Sequence, residues 1–266
     1  MPILKTSEFE IYYEVHGENK PPLLLLSGMG RDHSVWDNYI QFLEPIFQVI
    51  TIDNLGAGQT KCFKENFSMQ DMANATKKVL EHLGSGSIYL LGHSMGGYIA
   101  QNFCLQYPNA VKKMALFSTT AYQGKVARVS TDTVIELRKR QVPYEFILNS
   151  FIPLAFSSHF LNIEGVFEKI LEEMSNNISL QSEKDFQRQA AACRAHDTRS
   201  QLNCIKLPTL ICTGELDVLS TVDDSKFLAQ HIEGSQLEIV QNVAHEIQIE
   251  NGEKFISLVL NFFSSE

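Results

Sequence analysis

The segment that most constrains this chain is Ser-Ile-Tyr-Leu-Leu-Gly-His-Ser-Met-Gly-Gly-Tyr-Ile-Ala, residues 87–100. It opens as a short apolar run, turns through Gly92-His93-Ser94-Met95-Gly96 and continues as an apolar helical pattern. Gly-x-Ser-x-Gly by itself is frequent, but between a strand and a helix it has a physical reading. A serine on so sharp a turn takes a strained backbone conformation, and side chains two positions to either side would collide. Gly92 and Gly96 are therefore what the turn requires. The helix beginning at Met95 aims its N-terminal N–H groups at the serine, where they favour negative charge. Ser94 is thus a candidate nucleophile, with His93 packed beside it.

The rest of the chain supplies the context. Short runs rich in Ile, Leu and Val at 10–15, 23–26, 48–52, 87–91, 113–117, 209–213 and 236–240 read as buried strands. Helical patterns lie between them: one opens at Ser68 with a capping spacing to Asp71 and ends near Gly84, one runs from Met95 to Tyr107, and one closes the chain. This alternation predicts an α/β fold with a mostly parallel central sheet and helices on both faces, the first strands being open to an antiparallel arrangement. The rhythm stops between 121 and 201, where amphipathic segments carry Val134, Phe146, Phe151, Phe156 and Phe160 but no strand pattern. We therefore expect a core of 1–120 and 202–266 with a helical cap, or lid, inserted at 121–201. Such insertions build substrate pockets.

At 266 residues the chain suits a single core with one insertion. Its net charge of −9, with no basic run, argues against nucleic acid or anionic membrane as a partner. Residues 122–200 are charge-neutral, so the whole deficit lies outside them. Five cysteines without metal-like spacing read as reduced, buried thiols. No apolar stretch near the start resembles a signal peptide or a membrane anchor, and the expected location is cytoplasmic.

With the elbow stand three further segments: LLLLSGMGRDHSVWDNYI, VITIDNLGAGQT, and LPTLICTGELDVLS followed by VAHEIQIE. Together they resemble the α/β-hydrolase fold over nearly the full chain, closest in flavour to small esterases, enol-lactonases and pimeloyl-carrier methyl-ester esterases. The resemblance implies the chain order Ser, acid, His. His245, after the last strand run, then stands as the general base that a serine needs. Past the run at 209–213 lie Glu215 and Asp217, and the likeness to a Gly-x-x-Asp pattern selects Asp217. The resemblance also implies an oxyanion hole from the backbone N–H groups of Met29 and Met95. Ser27, Leu55, Ser220 and Ala244 depart from the family pattern, where histidine, arginine, proline and glycine are usual.

The expected activity is hydrolysis of carboxylic esters of small to medium apolar acyl groups through an acyl-enzyme. No metal or organic cofactor is needed. Enol-lactonase, thioesterase and acyl-carrier methyl-ester esterase are the alternatives within that chemistry. A ligand receptor that keeps the fold is the alternative outside it. The expected substrate is a small-molecule ester, with acyl carrier presentation open through a basic patch of Arg138, Lys139 and Arg140. His33, Phe146, Phe151, Phe156 and Phe160 are the expected substrate contacts.

Overall fold

The computed structural model describes residues 2–177 and 181–265. Its strands are β1 (Ile3–Lys5), β2 (Phe9–His16), β3 (Pro22–Leu26), β4 (Gln48–Ile52), β5 (Lys61–Cys62), β6 (Ile88–His93), β7 (Val111–Phe117), β8 (Thr209–Gly214) and β9 (Gln236–Val240). Its helices are α1 (Asp37–Leu43), α2 (Met69–His82), α3 (Met95–Gln106), α4 (Lys125–Lys139), α5 (Tyr144–Ala155), α6 (Ser158–Leu161), α7 (Val166–Asn177), α8 (Glu183–Ala195), α9 (Val222–His231), α10 (Ile247–Glu250) and α11 (Gly252–Ser264).

The strands form one sheet in the order β1-β2-β4-β3-β6-β7-β8-β9, with β5 on the side of β2. From β4 to β9 every neighbour is parallel, while β2 pairs antiparallel with β1, β4 and β5. The continuous apolar runs follow from burial on both faces. In β3, Leu24 and Leu26 join one hydrophobic cluster while Leu23 and Leu25 join the other. Met114 and Leu116 of β7 divide from Ala115 and Phe117 in the same way. Helices α2, α3 and α9 cover the first face, and α1 and α11 cover the second.

Ser68 caps α2 in a reciprocal box with Asp71, as its spacing predicts, and Gly84 closes the helix at φ 64°. Strands β1 and β5 had no sequence signal: three and two residues are too few to establish a period. The elbow strand also runs two residues further than its apolar stretch, because Gly92 and His93 continue the parallel pairing with β7. All five cysteines are unpaired; Cys104, Cys193 and Cys212 are buried, but Cys204 is exposed.

Between β7 and β8 the chain forms α4 to α8. An isolated bridge between Tyr122 and Asp197 joins the two ends of this insertion, beside a hydrogen bond from Thr198 N to the Ala121 carbonyl of 2.9 Å. The insertion has a core of its own, in which Leu148, Ile152 and Phe156 of the α5 region meet Ile170 and Met174 of α7. Among the described residues no helix is long and apolar enough to cross a membrane.

Candidate active site

Ser94 is the residue at which β6 becomes α3, and its backbone sits at φ 54°, ψ −119°. A non-glycine residue holds such a conformation only when its surroundings over-determine it. Here the Ser94 N–H donates to the Phe117 carbonyl at 2.9 Å, and the Ser94 carbonyl accepts from Thr119 Oγ1 at 2.8 Å and Gly97 N at 2.9 Å. A Cβ on Gly96 would overlap the Leu26 carbonyl, and one on Gly97 would overlap the Thr119 side chain. A Cβ on Gly92 would overlap the Gly96 backbone. The turn is thus packed against β3 and the end of β7 with no room for a side chain.

His245 lies between Ser94 and Asp217. Its Nε2 is 3.0 Å from Ser94 Oγ, and its Nδ1 is 2.9 Å from Asp217 Oδ2. The Asp217 carboxylate is fully buried, and its other oxygen accepts from Leu219 N at 2.8 Å and Ser220 N at 2.9 Å. Ser220 therefore supplies an N–H that a proline could not. A carboxylate can only accept, so Nδ1 carries the proton and Nε2 presents its lone pair to the serine. Burial opposes the imidazolium, but the Asp217 charge and hydrogen bond, helped by Glu246, outweigh it and lift His245 above the ordinary histidine value of 6.5.

The histidine loop is tied down from two sides. The His93 ring lies beside the His245 ring, with centroids 5.2 Å apart, and its Nε2 donates to the His245 carbonyl at 3.1 Å. Complete burial keeps His93 below its ordinary value, hence neutral. From the insertion, the Ala155 carbonyl at the end of α5 accepts from both His245 N and Glu246 N, at 3.1 and 3.2 Å. Glu250 accepts from Ala244 N and Ser157 N, each at 3.0 Å, and from Ser157 Oγ.

The loop after β3 closes the other side. Gly28 packs directly on Ser94. Among the described residues, neither the Met29 nor the Met95 N–H donates to another protein group, and both residues line the cavity in front of Ser94. Gly30 N donates to Gln189 Oε1 of α8 at 3.0 Å, and Gln189 Nε2 donates to the Leu55 carbonyl at 2.9 Å. Leu55, at the position of the expected arginine, is buried in the core and contributes that carbonyl. Ser27 Oγ donates to the Arg31 carbonyl at 3.1 Å, bracing the loop where histidine is usual.

The structure brings Ser94, Asp217, His245, Met29, Met95 and the elbow glycines together, but not all the expected substrate contacts. Phe151 lines the cavity. Phe146 is 60% exposed, because α5 turns it to solvent. Phe156 and Phe160 stack on each other at 6.0 Å inside the insertion's core. His33 faces away, its ring held by Asp53 at 2.7 Å and Glu14 at 3.4 Å. The three basic residues at the end of α4 do not form one patch: Arg138 lines the cavity, while Arg140 pairs with Glu136 at 2.8 Å on the surface. Arg31 and Glu246 lie within the segments that carry the family resemblance but were not singled out there, and Gln189 had no motif, although it interrupts an apolar stripe of Phe186, Ala190 and Cys193 at helical spacing.

The model of the alpha/beta hydrolase fold family matches residues 21–252. The chain is 28% identical over 253 residues to 3-oxoadipate enol-lactonase 1 of Acinetobacter baylyi, covering 93% of this chain and 90% of that one. It is 27% identical over 256 residues to a 2-hydroxy-6-oxononadienedioate/2-hydroxy-6-oxononatrienedioate hydrolase of Klebsiella pneumoniae, covering 93% and 88%. Among solved structures, an alpha/beta hydrolase enzyme from a Medee basin deep-sea metagenome library superposes with a TM-score of 0.92 at 25% identity, over 100% of this chain and 98% of that one. The strained serine between strand and helix, the sheet order and these matches lead to one statement: the chain belongs to the α/β-hydrolase fold family.

Proposed function

We propose that this protein is a serine hydrolase that cleaves carboxylic esters of small to medium acyl groups through an acyl-enzyme on Ser94. The observation that carries the reading is His245, held between Asp217 Oδ2 at 2.9 Å and Ser94 Oγ at 3.0 Å. Ser94 Oγ attacks the acyl carbon as His245 Nε2 takes its proton, and Asp217 fixes the tautomer and stabilises the imidazolium. The negative oxygen of the tetrahedral intermediate accepts from the Met29 and Met95 N–H groups, each such donor being worth about 10²–10³ in rate. His245 then returns the proton to the departing alkoxide. A water, deprotonated by the same nitrogen, cleaves the acyl-enzyme and frees the acid.

Residues 121–201 act in this reading as a cap over the core of 1–120 and 202–266. The cavity between them measures about 130 Å³. That is close to the ~150 Å³ of an engineered cavity that admits benzene, which favours acyl groups of a few carbons over long chains. A lactone is the second reading, favoured by the likeness to the A. baylyi enol-lactonase; the chemistry is the same with the leaving alkoxide tethered. Presentation on an acyl carrier protein is less favoured, because Arg138 turns inward to the cavity.

The test is labelling by a fluorophosphonate together with turnover of p-nitrophenyl esters of graded length. Wild type should be labelled and turn over repeatedly, and Ser94→Ala should do neither. Absence of labelling in folded wild type would sink the proposal. Release of a single equivalent of product would move the protein to the receptor class.

A further inference from the structure

The Ser94 cavity is not wholly apolar. Beside Val134, Ile147 and Leu148 it is lined by two guanidinium groups, Arg31 and Arg138, and by Tyr144. Arg31 comes from the core, two residues after Met29; Arg138 comes from the last turn of α4. The two cations therefore reach one cavity from its two separate walls.

Their protein partners leave much of this charge unanswered. Arg31 Nη2 approaches Glu246 Oε1 only to 3.7 Å, too far for a good hydrogen bond. Arg138 Nη2 donates to the Gln181 carbonyl at 2.8 Å, and its guanidinium lies over the Phe186 ring at 4.8 Å. No carboxylate lies within ion-pair distance of Arg138 among the described residues. A purely structural arginine could hold that carbonyl and ring, but a guanidinium has five N–H donors in a planar fork. Tyr144 adds a further donor: burial pushes its hydroxyl up to about 12, although both Arg138 and Arg31 are near enough to pull it down. It stays a neutral O–H, and among the described residues it makes no hydrogen bond of its own.

We propose that Arg31, Arg138 and Tyr144 form an anion-binding wall of this cavity, and that the ester hydrolysed there carries a free carboxylate. The inference rests on the hydrolase reading above and narrows its substrate class. Two guanidinium groups against the single carboxylate of Glu246 leave one positive charge. That matches a monoanionic carboxylate better than a phosphate dianion, and a carboxylate also fits the planar fork. It also amends the expectation of a purely apolar acyl group.

The experiment compares kcat/KM for monomethyl glutarate with that for methyl pentanoate in wild type, Arg138→Gln and Arg31→Gln, followed by pH-stat. Wild type should favour the carboxylate ester by about 10-fold or more, and this ratio should fall about 10- to 100-fold in Arg138→Gln, the weight of one charged hydrogen-bonded pair. In wild type the ratio should also shrink as ionic strength rises. Inhibition of wild type by butyrate but not by butyl phosphate distinguishes the two anions, and the reverse order would overturn the carboxylate assignment. A wild-type preference for the neutral ester overturns the proposal without any variant. A ratio unchanged in folded Arg138→Gln removes Arg138 from it. Should neither ester be cleaved and Ser94 resist fluorophosphonate, the hydrolase reading has failed; butyrate binding to Ser94→Ala by calorimetry still tests the wall alone.

Discussion

Replacing Asp217 by Asn changes one atom, and the structure dictates which way the new amide must face. Asp217 Oδ1 accepts two backbone N–H groups, from Leu219 at 2.8 Å and Ser220 at 2.9 Å. Turning the NH₂ toward them would orphan two buried donors at about 1–3 kcal/mol each, so the amide oxygen takes that side. The NH₂ then occupies the Oδ2 position, 2.9 Å from His245 Nδ1 in the native protein. Nδ1 must now accept, the ring proton moves to Nε2, and a protonated Nε2 facing Ser94 Oγ cannot take the serine proton. Reaching the working tautomer sets N–H against N–H, about 1–3 kcal/mol, and the imidazolium also loses a charged hydrogen bond worth about 1.5–3 kcal/mol. The total of about 2.5–6 kcal/mol converts to about 10²–10⁴ in rate at 1.36 kcal/mol per decade. The assay is stopped-flow acylation by p-nitrophenyl butanoate, with circular dichroism as the control for folding. A folded Asp217→Asn within tenfold of wild type would show that Asp217 does not set the histidine tautomer.

Three further outcomes follow from the same geometry. Because Asp217 and Glu246 hold His245 above 6.5, and only the neutral ring is a base, the acidic limb of kcat/KM should have its midpoint above 6.5, with activity present at higher pH and lost below; a midpoint at or under 6.5 contradicts the assigned electrostatics. Gly96→Ala should lower stability by about 1–3 kcal/mol through overlap with the Leu26 carbonyl and displace Ser94, read as a drop in thermal midpoint and loss of fluorophosphonate labelling; native values for both refute the close-packed turn. Gln189→Leu should leave Gly30 N and the Leu55 carbonyl unpaired, costing about 2–4 kcal/mol in denaturant unfolding and lowering kcat more than it raises KM; an unchanged kcat would detach α8 from the oxyanion loop.

The core was legible because its signals are local. Each central strand is a short run of large aliphatic residues buried on both sides, and Ser94 announces itself within fourteen residues of strand, turn and helix. His245 and Asp217 followed from the family resemblance, its chain order and its Gly-x-x-Asp pattern, and both lie beyond the ends of parallel strands, which a parallel sheet delivers to one edge. Chain order carries no such information for the cavity walls. In the sequence Arg138 is one of three consecutive basic residues, read as a patch for an acyl carrier; the structure sets it in the last turn of α4, where the helix dipole favours a cation. Only the docking of α4, which buries Thr131 and Val134 on the same stripe, turns Arg138 inward.

The same contrast governs the loop after β3. Gly30 is held by a side chain 159 residues away, on a helix that belongs to the insertion rather than to the sheet. Ala155, which receives the amides of both His245 and Glu246, is also part of that insertion. The helices that line the cavity therefore also brace the loops that carry His245 and Gly30. A substitution in α5 or α8 made to alter specificity should then register in kcat as well as KM, whereas in a cap that merely covers a finished site it would change KM alone. Chemistry is readable here where it is local. The cavity walls come from contacts between distant segments, which sequence periodicity cannot encode.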